Sequence, residues 1–179
     1  MRILITLALL TGPALAQKQD VVPKTSEPVT TPDVSRTVAA IQGSWLGRMT
    51  ANVPGFPPET FAWTMNCKTV AKGAGASCTN WGRASIGSME ESCLLAFDPE
   101  GKAVHYMCVT SMGEVHDHKG RWVDAQTIEF EPLRAGMMGQ PITETLRWRF
   151  PDSRTIDKTS EVKLADGSSM HFEFRGQRQ

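Results

Sequence analysis

The chain has 179 residues, 40% of them apolar, and nineteen basic side chains balance nineteen acidic ones. A chain of this length hides roughly 70% of its unfolded surface when it folds as one unit. Zero net charge removes the electrostatic footprint of a nucleic-acid binder or of a protein drawn to anionic membranes.

At the N-terminus, Arg2 precedes the apolar run Ile3 to Leu10, then Gly12-Pro13 and the small-residue site Ala14-Leu15-Ala16. This is the pattern of a secretory signal peptide over residues 1–16, too short to span a bilayer core of about 30 Å as a helix. No later run is apolar and long enough for a membrane span, so the mature protein is expected to be periplasmic or secreted. Residues 17–36 carry Pro23, Pro28 and Pro32 among Thr, Ser, Lys, Glu and Asp; with few large apolar groups to offset ordering entropy, they are expected to form a disordered leader. The remaining 37–179 form the folded domain, opening with a helical turn over Val38 to Gln42.

From there the chain reads as short strands. Gly43-Ser44-Trp45 opens the first, which runs to about Ala51, and after a Pro-rich loop Phe61 to Cys67 alternates large apolar with small or polar residues, the period of a half-buried strand. Ala76 to Gly82 and Ser92 to Phe97 follow. Asp98-Pro99-Glu100-Gly101 is a turn signal ahead of the β-branched run Val104 to Thr110. Strand six covers Glu114 to Arg121 and strand seven Thr127 to Leu133. A loop over Arg134 to Gly139 exposes Met137 and Met138, an adaptable apolar pair suited to a portal lid or a docking surface. Strand eight, Ile142 to Phe150, turns Ile142, Glu144, Leu146, Trp148 and Phe150 to one face. Arg154 to Leu164 and Met170 to Arg175 pair about the hairpin turn Asp166-Gly167-Ser168, with Met170, Phe172 and Phe174 inward. Ten short strands with almost no helix predict an all-β fold that either splits into a sandwich or closes into an up-and-down antiparallel barrel, closure having the merit of removing exposed edges.

Four cysteines in an exported chain favour disulfides. If the turn after Asp98 occupies Pro99 to Lys102, Cys93 faces Cys108; a turn about Lys72 and Gly73 likewise sets Cys67 opposite Cys78. Cys78 to Cys93 across the intervening hairpin is the competing bond. A one-residue slip would put each pair on opposite faces.

Gly43-x-Trp45-x-Gly47 on the first strand and Phe174-Arg175 on the last resemble the calycins, the lipocalin and fatty-acid-binding superfamily, in which an early Trp closes one barrel end under a late Arg. Phe97-Asp98-Pro99, Gly101-Lys102, Tyr106, Val109-Thr110-Ser111-Met112-Gly113, Gly120 and Asp166-Gly167 resemble the pattern of a large bacterial family of lipocalin-like proteins known only as a domain of unknown function. The resemblance spans about Trp45 to Arg175 and implies a barrel of roughly ten strands with an interior cavity. It implies no activity, and four cysteines and a Pro-rich leader set this chain apart. More distantly the chain resembles nitrobindin, a barrel that holds haem through a histidine near its C-terminal end. His171 is the candidate by position, although alternation turns it outward beside Glu173.

Those considerations predict a non-catalytic barrel that binds a small, largely apolar molecule, needs no cofactor, and exists as a monomer or small homo-oligomer. Trp63, Met65, Tyr106, Glu144 and Trp148 are the expected lining. Glu144, among apolar neighbours, must pair, protonate or touch water; Lys158 on the next strand is a candidate partner, and a ligand's polar head is the alternative. His116 and His118 share a strand face in a way that suits zinc or copper, with His105 as a conceivable third ligand, but the pattern equally describes a solvated strand edge, and no metal is expected. Two rival functions remain: a haem or metal barrel enzyme using His171 or the His116 and His118 pair, and a protein-interaction module with a filled core. Nothing in the chain matches a G-x-S-x-G elbow.

Overall fold

The structure, a computed structural model, describes residues 32–179 except 86, 99, 101 and 138; the expected signal peptide, the leader up to residue 31 and Met138 lie outside the described residues. One helix precedes the sheet. α1 (Pro32–Ile41) is followed by β1 (Gly43–Asn52), β2 (Glu59–Val70), β3 (Gly75–Ala84), β4 (Gly87–Asp98), β5 (Ala103–Thr110) and β6 (Val115–Trp122). Then come β7 (Thr127–Met137), the two-residue β8 (Gln140–Pro141), β9 (Thr143–Asp152), β10 (Thr155–Lys163) and β11 (Ser169–Arg178). The strands pair antiparallel in the order β6-β5-β4-β3-β2-β1-β11-β10-β9-β7, and β6 pairs back onto β7. That last ladder closes a ten-stranded, calycin-like barrel, while β8 hangs on β7 as a short hairpin. Closure leaves no open edge on the ten main strands.

Period-two alternation builds the interior. On β2, Phe61, Trp63, Met65 and Cys67 are buried between exposed or half-buried neighbours, and on β9 the same holds for Glu144, Leu146, Trp148 and Phe150. Gly47 on β1 answers to a close approach: a Cβ there would stand 1.9 Å from the Arg175 carbonyl oxygen. Only a residue without a side chain lets β1 and β11 meet at that point.

Several expectations are corrected. Residues 32–36, assigned to the disordered leader, form the first half of α1. Val34, Val38 and Ile41 recur at the spacing of one helix face and are fully or nearly fully buried, so this segment orders by burying an apolar stripe rather than by propensity alone. Arg36 lies over the Trp122 ring at 3.6 Å and Trp122 Nε1 donates to Thr37 Oγ1 at 2.9 Å, fixing the helix across one barrel end. The late arginine over Trp45 is Arg178, not Arg175. Cross-strand register sets Trp45 opposite Arg178, whose guanidinium sits 4.6 Å from the indole and donates to the Ala40 carbonyl at 2.6 Å; Arg175 points outward to Asp157. Much of the expected loop over Arg134 to Gly139 is the end of β7, and Met137 packs half-buried against Ala135, Ile142, Val162 and Met170.

The two disulfides are Cys67–Cys78 and Cys93–Cys108. The β4–β5 register sets Phe97 opposite Val104, Leu95 opposite Tyr106 and Cys93 opposite Cys108. Cys78 also stands opposite Cys93, so the four sulfurs form one inward row across β2 to β5.

Candidate ligand cavity

Inside the barrel is a cavity of about 130 Å³. It is comparable with engineered cavities of about 150 Å³ that accept a benzene ring, and below the roughly 300 Å³ at which drug-sized sites begin. Met49, Phe61, Trp63, Leu146, Phe172 and Phe174 supply apolar wall. Trp148 packs edge-on to Tyr106 with ring centroids 4.7 Å apart, and Phe130 backs both. Of the expected lining residues, Trp63, Tyr106, Glu144 and Trp148 face the cavity. Met65 is buried in the main core instead and does not line it.

The polar end is built by three adjacent strands. β6 turns His116 and His118 inward, preceded by Glu114; β9 contributes Glu144 and β10 contributes Lys158 and Ser160. Glu144 is 6% exposed and, among the described residues, pairs with neither arginine nor lysine. Its Oε1 accepts from Ser160 Oγ at 2.6 Å, and its Oε2 accepts from His116 Nδ1 at 2.6 Å. The other nitrogen of His116 lies 3.4 Å from Glu114 Oε2, so one imidazole is strapped between two carboxylates. Burial pulls the His116 pKa down, but the hydrogen bonds and charges of Glu114 and Glu144 outweigh it and raise the group to about 10. Burial pushes Glu144 up, and the hydrogen bonds from His116 and Ser160, the close approach of His118 and the His116 charge together hold it far below the usual carboxylate range. At neutral pH the centre is therefore an imidazolium–carboxylate pair.

This overturns the description of His116 and His118 as a solvated edge: they are 9% and 0% exposed. Alternation alone could not settle the face, because both faces of β6 carry polar residues. The signal lay in the next hairpin, whose register puts Cys108 opposite His116 and Tyr106 opposite His118. His105 points the other way, onto Asp117. His118 Nε2 stands 3.2 Å from Glu144 Oε2 but outside hydrogen-bond geometry. Both His118 nitrogens, Trp148 Nε1, Glu114 Oε1 and Asn80 Oδ1 are buried without a partner. Each such atom costs about 1–3 kcal/mol, a concentration that marks an interior kept polar for a use other than stability.

Across the cavity Asn80 Nδ2 donates to Glu91 Oε2 at 2.8 Å, and the Tyr106 hydroxyl donates to Cys93 Sγ at 3.2 Å. Burial raises the Tyr106 pKa well above its ordinary value, with the Glu91 and Glu144 charges adding to it. Lys158, expected as the partner of Glu144, instead lies over the Trp148 ring at 4.7 Å. Register explains the choice, since Lys158 is directly opposite Trp148 while Glu144 is opposite Val162.

Neither metal nor haem finds a ready-made set. Among the described residues, the group of three or more candidate ligands whose donor atoms converge is Glu91, Cys93 and Cys108, and its sulfurs are already bonded to each other. His171 faces outward, held by Glu161 at 2.5 Å and Glu173 at 2.9 Å, so it does not fit an interior haem.

No protein-family model matches the chain, and no curated protein matches it in sequence. Solved structures do match in shape. Rv2717c from M. tuberculosis superposes with a TM-score of 0.63 at 17% identity, over 84% of this chain and 99% of that one. The S-type phycobiliprotein lyase CPES from Guillardia theta superposes with a TM-score of 0.59 at 12% identity, over 82% of this chain and 93% of that one. At these identities the likeness is one of fold.

Proposed function

We propose that the barrel binds a small molecule of about one aromatic ring in its interior, apolar over most of its surface and polar at the end that meets Lys158, Ser160 and Glu144, without turning it over. The carrying observation is the cavity of about 130 Å³ walled by aromatic and methionine side chains with a buried polar cluster at one end, which is how small-molecule sites are built. The same reading places the protein in the periplasm or outside the cell, supported by the signal-peptide pattern at Arg2 to Ala16 and by two disulfides, which suit an oxidising compartment.

Trp63 and Trp148 report on the cavity directly. Titration with small aromatic compounds and short fatty acids is expected to give a saturable change in Trp fluorescence for the aromatic set, reduced in Trp148→Phe. Absence of any saturable change across both sets rejects the proposal. Native mass spectrometry of protein taken from its own periplasm identifies the retained molecule.

A further inference from the structure

Deepening that proposal, on which it rests, we infer that the bound molecule is an aldehyde or ketone and that Lys158 captures its carbonyl carbon as an imine. Lys158 projects from β10 into the cavity. Among the described residues its ammonium makes no hydrogen bond or ion pair; it lies over the Trp148 ring at 4.7 Å, with the Glu91 and Glu144 charges farther off. A long charged side chain loses rotamer freedom and hydration when turned into an aromatic-lined space, and leucine would fill this position at no such cost.

The surroundings select among ligand classes. Four carboxylates, Glu90, Glu91, Glu114 and Glu144, line the cavity against two basic groups, His116 and Lys158, so a carboxylate-headed ligand would add negative charge to an already acidic wall. Metal binding lacks converging donors. A neutral carbonyl meets neither objection, and an amine in an apolar pocket is the nucleophile suited to it. Burial lowers the Lys158 pKa, favouring the free amine, while Glu91 and Glu144 oppose that shift and equally stabilise a protonated imine once formed. The step balances: the Nζ lone pair forms the C–N bond, the carbonyl oxygen leaves as water with both amine protons, and the imine nitrogen takes one proton from solvent. No oxidant or reductant is needed.

The test uses benzaldehyde, matched in size to the cavity, with cyanoborohydride to fix any imine as a secondary amine. The full chain is then examined by intact mass and peptide mapping. Beyond the α-amine, one adduct is expected, on Lys158 in preference to Lys18, Lys24, Lys68, Lys72, Lys102, Lys119 and Lys163, abolished in Lys158→Arg and dispersed over all lysines when the protein is labelled in urea. Benzyl alcohol, which cannot form an imine, is run alongside by Trp fluorescence and thermal shift on the wild-type protein, and a cooperative thermal transition of Lys158→Arg close to that of wild type shows that the variant folds. Binding of the alcohol without selective labelling of Lys158 overturns the carbonyl inference and leaves the cavity proposal standing. Failure of both ligands overturns the two together.

Discussion

Glu144→Leu removes the carboxylate that faces His116 and leaves an imidazolium in the barrel with Glu114 as its remaining counter-charge. Breaking a buried pair by deleting one partner costs about 3–5 kcal/mol. The rise of His116 from its ordinary 6.5 to about 10, produced by Glu114 and Glu144 together against burial, corresponds to about 5 kcal/mol at 1.36 kcal/mol per unit, an upper bound for Glu144 alone; the side chain is only 11% exposed, so solvent screening takes little from it. The expected fall in melting temperature is roughly 6–20 °C for a domain of this size. The pH dependence carries the sign. Because the folded chain holds the His116 proton more tightly than the unfolded chain, the stabilisation is complete below about pH 6.5 and is lost progressively as the pH climbs to about 10. Glu144, held low, contributes above its ordinary 4.5 and loses that contribution as the pH falls through its folded value. Urea unfolding of wild type and variant near pH 5.5, 8 and 10 should therefore show a gap that is widest at about 5.5 and nearly closed at about 10. The double variant His116→Leu/Glu144→Leu, which removes both buried charges, should recover part of the loss. A gap below about 1 kcal/mol, or one that does not change with pH, would refute the assignment of an internal ion pair.

Loss of the Cys93–Cys108 bond, which closes a separation of 15 residues, as Cys93→Ser/Cys108→Ser is expected to cost about 3 kcal/mol; the pairing itself is checked by a non-reduced peptide map, and a Cys78–Cys93 peptide would contradict it. Gly47→Ala drives a Cβ into the Arg175 carbonyl, where backbone cannot yield, and should cost about 1–3 kcal/mol or more in urea unfolding, against no effect if β1 and β11 can separate freely. Arg178→Ala removes the cover over Trp45 and the bond to Ala40; an expected loss of about 1–2 kcal/mol should accompany a change in Trp emission, and an unchanged midpoint would show that the helix end is held by other contacts.

Local chemistry determined most of the barrel. Alternating residues on β2, β9 and β11, the turn signals at 98–102 and 166–168, and the hairpin arithmetic that brings Cys93 to Cys108 are properties of neighbours in the chain, where side-chain period and turn geometry act directly. The same arithmetic carried across the turn at 111–113 makes the buried face of β6 legible too, once Tyr106 and Cys108 are known to face inward. What tertiary structure alone decided are the meetings between strands far apart in sequence. Glu144 and His116 are 28 residues apart and meet because β6 and β9 both reach β7; no local period encodes that. Arg178 rather than Arg175 covers Trp45 because closure sets the β1 to β11 register. α1 is helical because a finished barrel end offers its apolar stripe somewhere to go. Lys158 has no direct ion pair among the described residues for the same reason: the closed wall gives Glu144 to histidine and sets the lysine opposite Trp148 at the cavity.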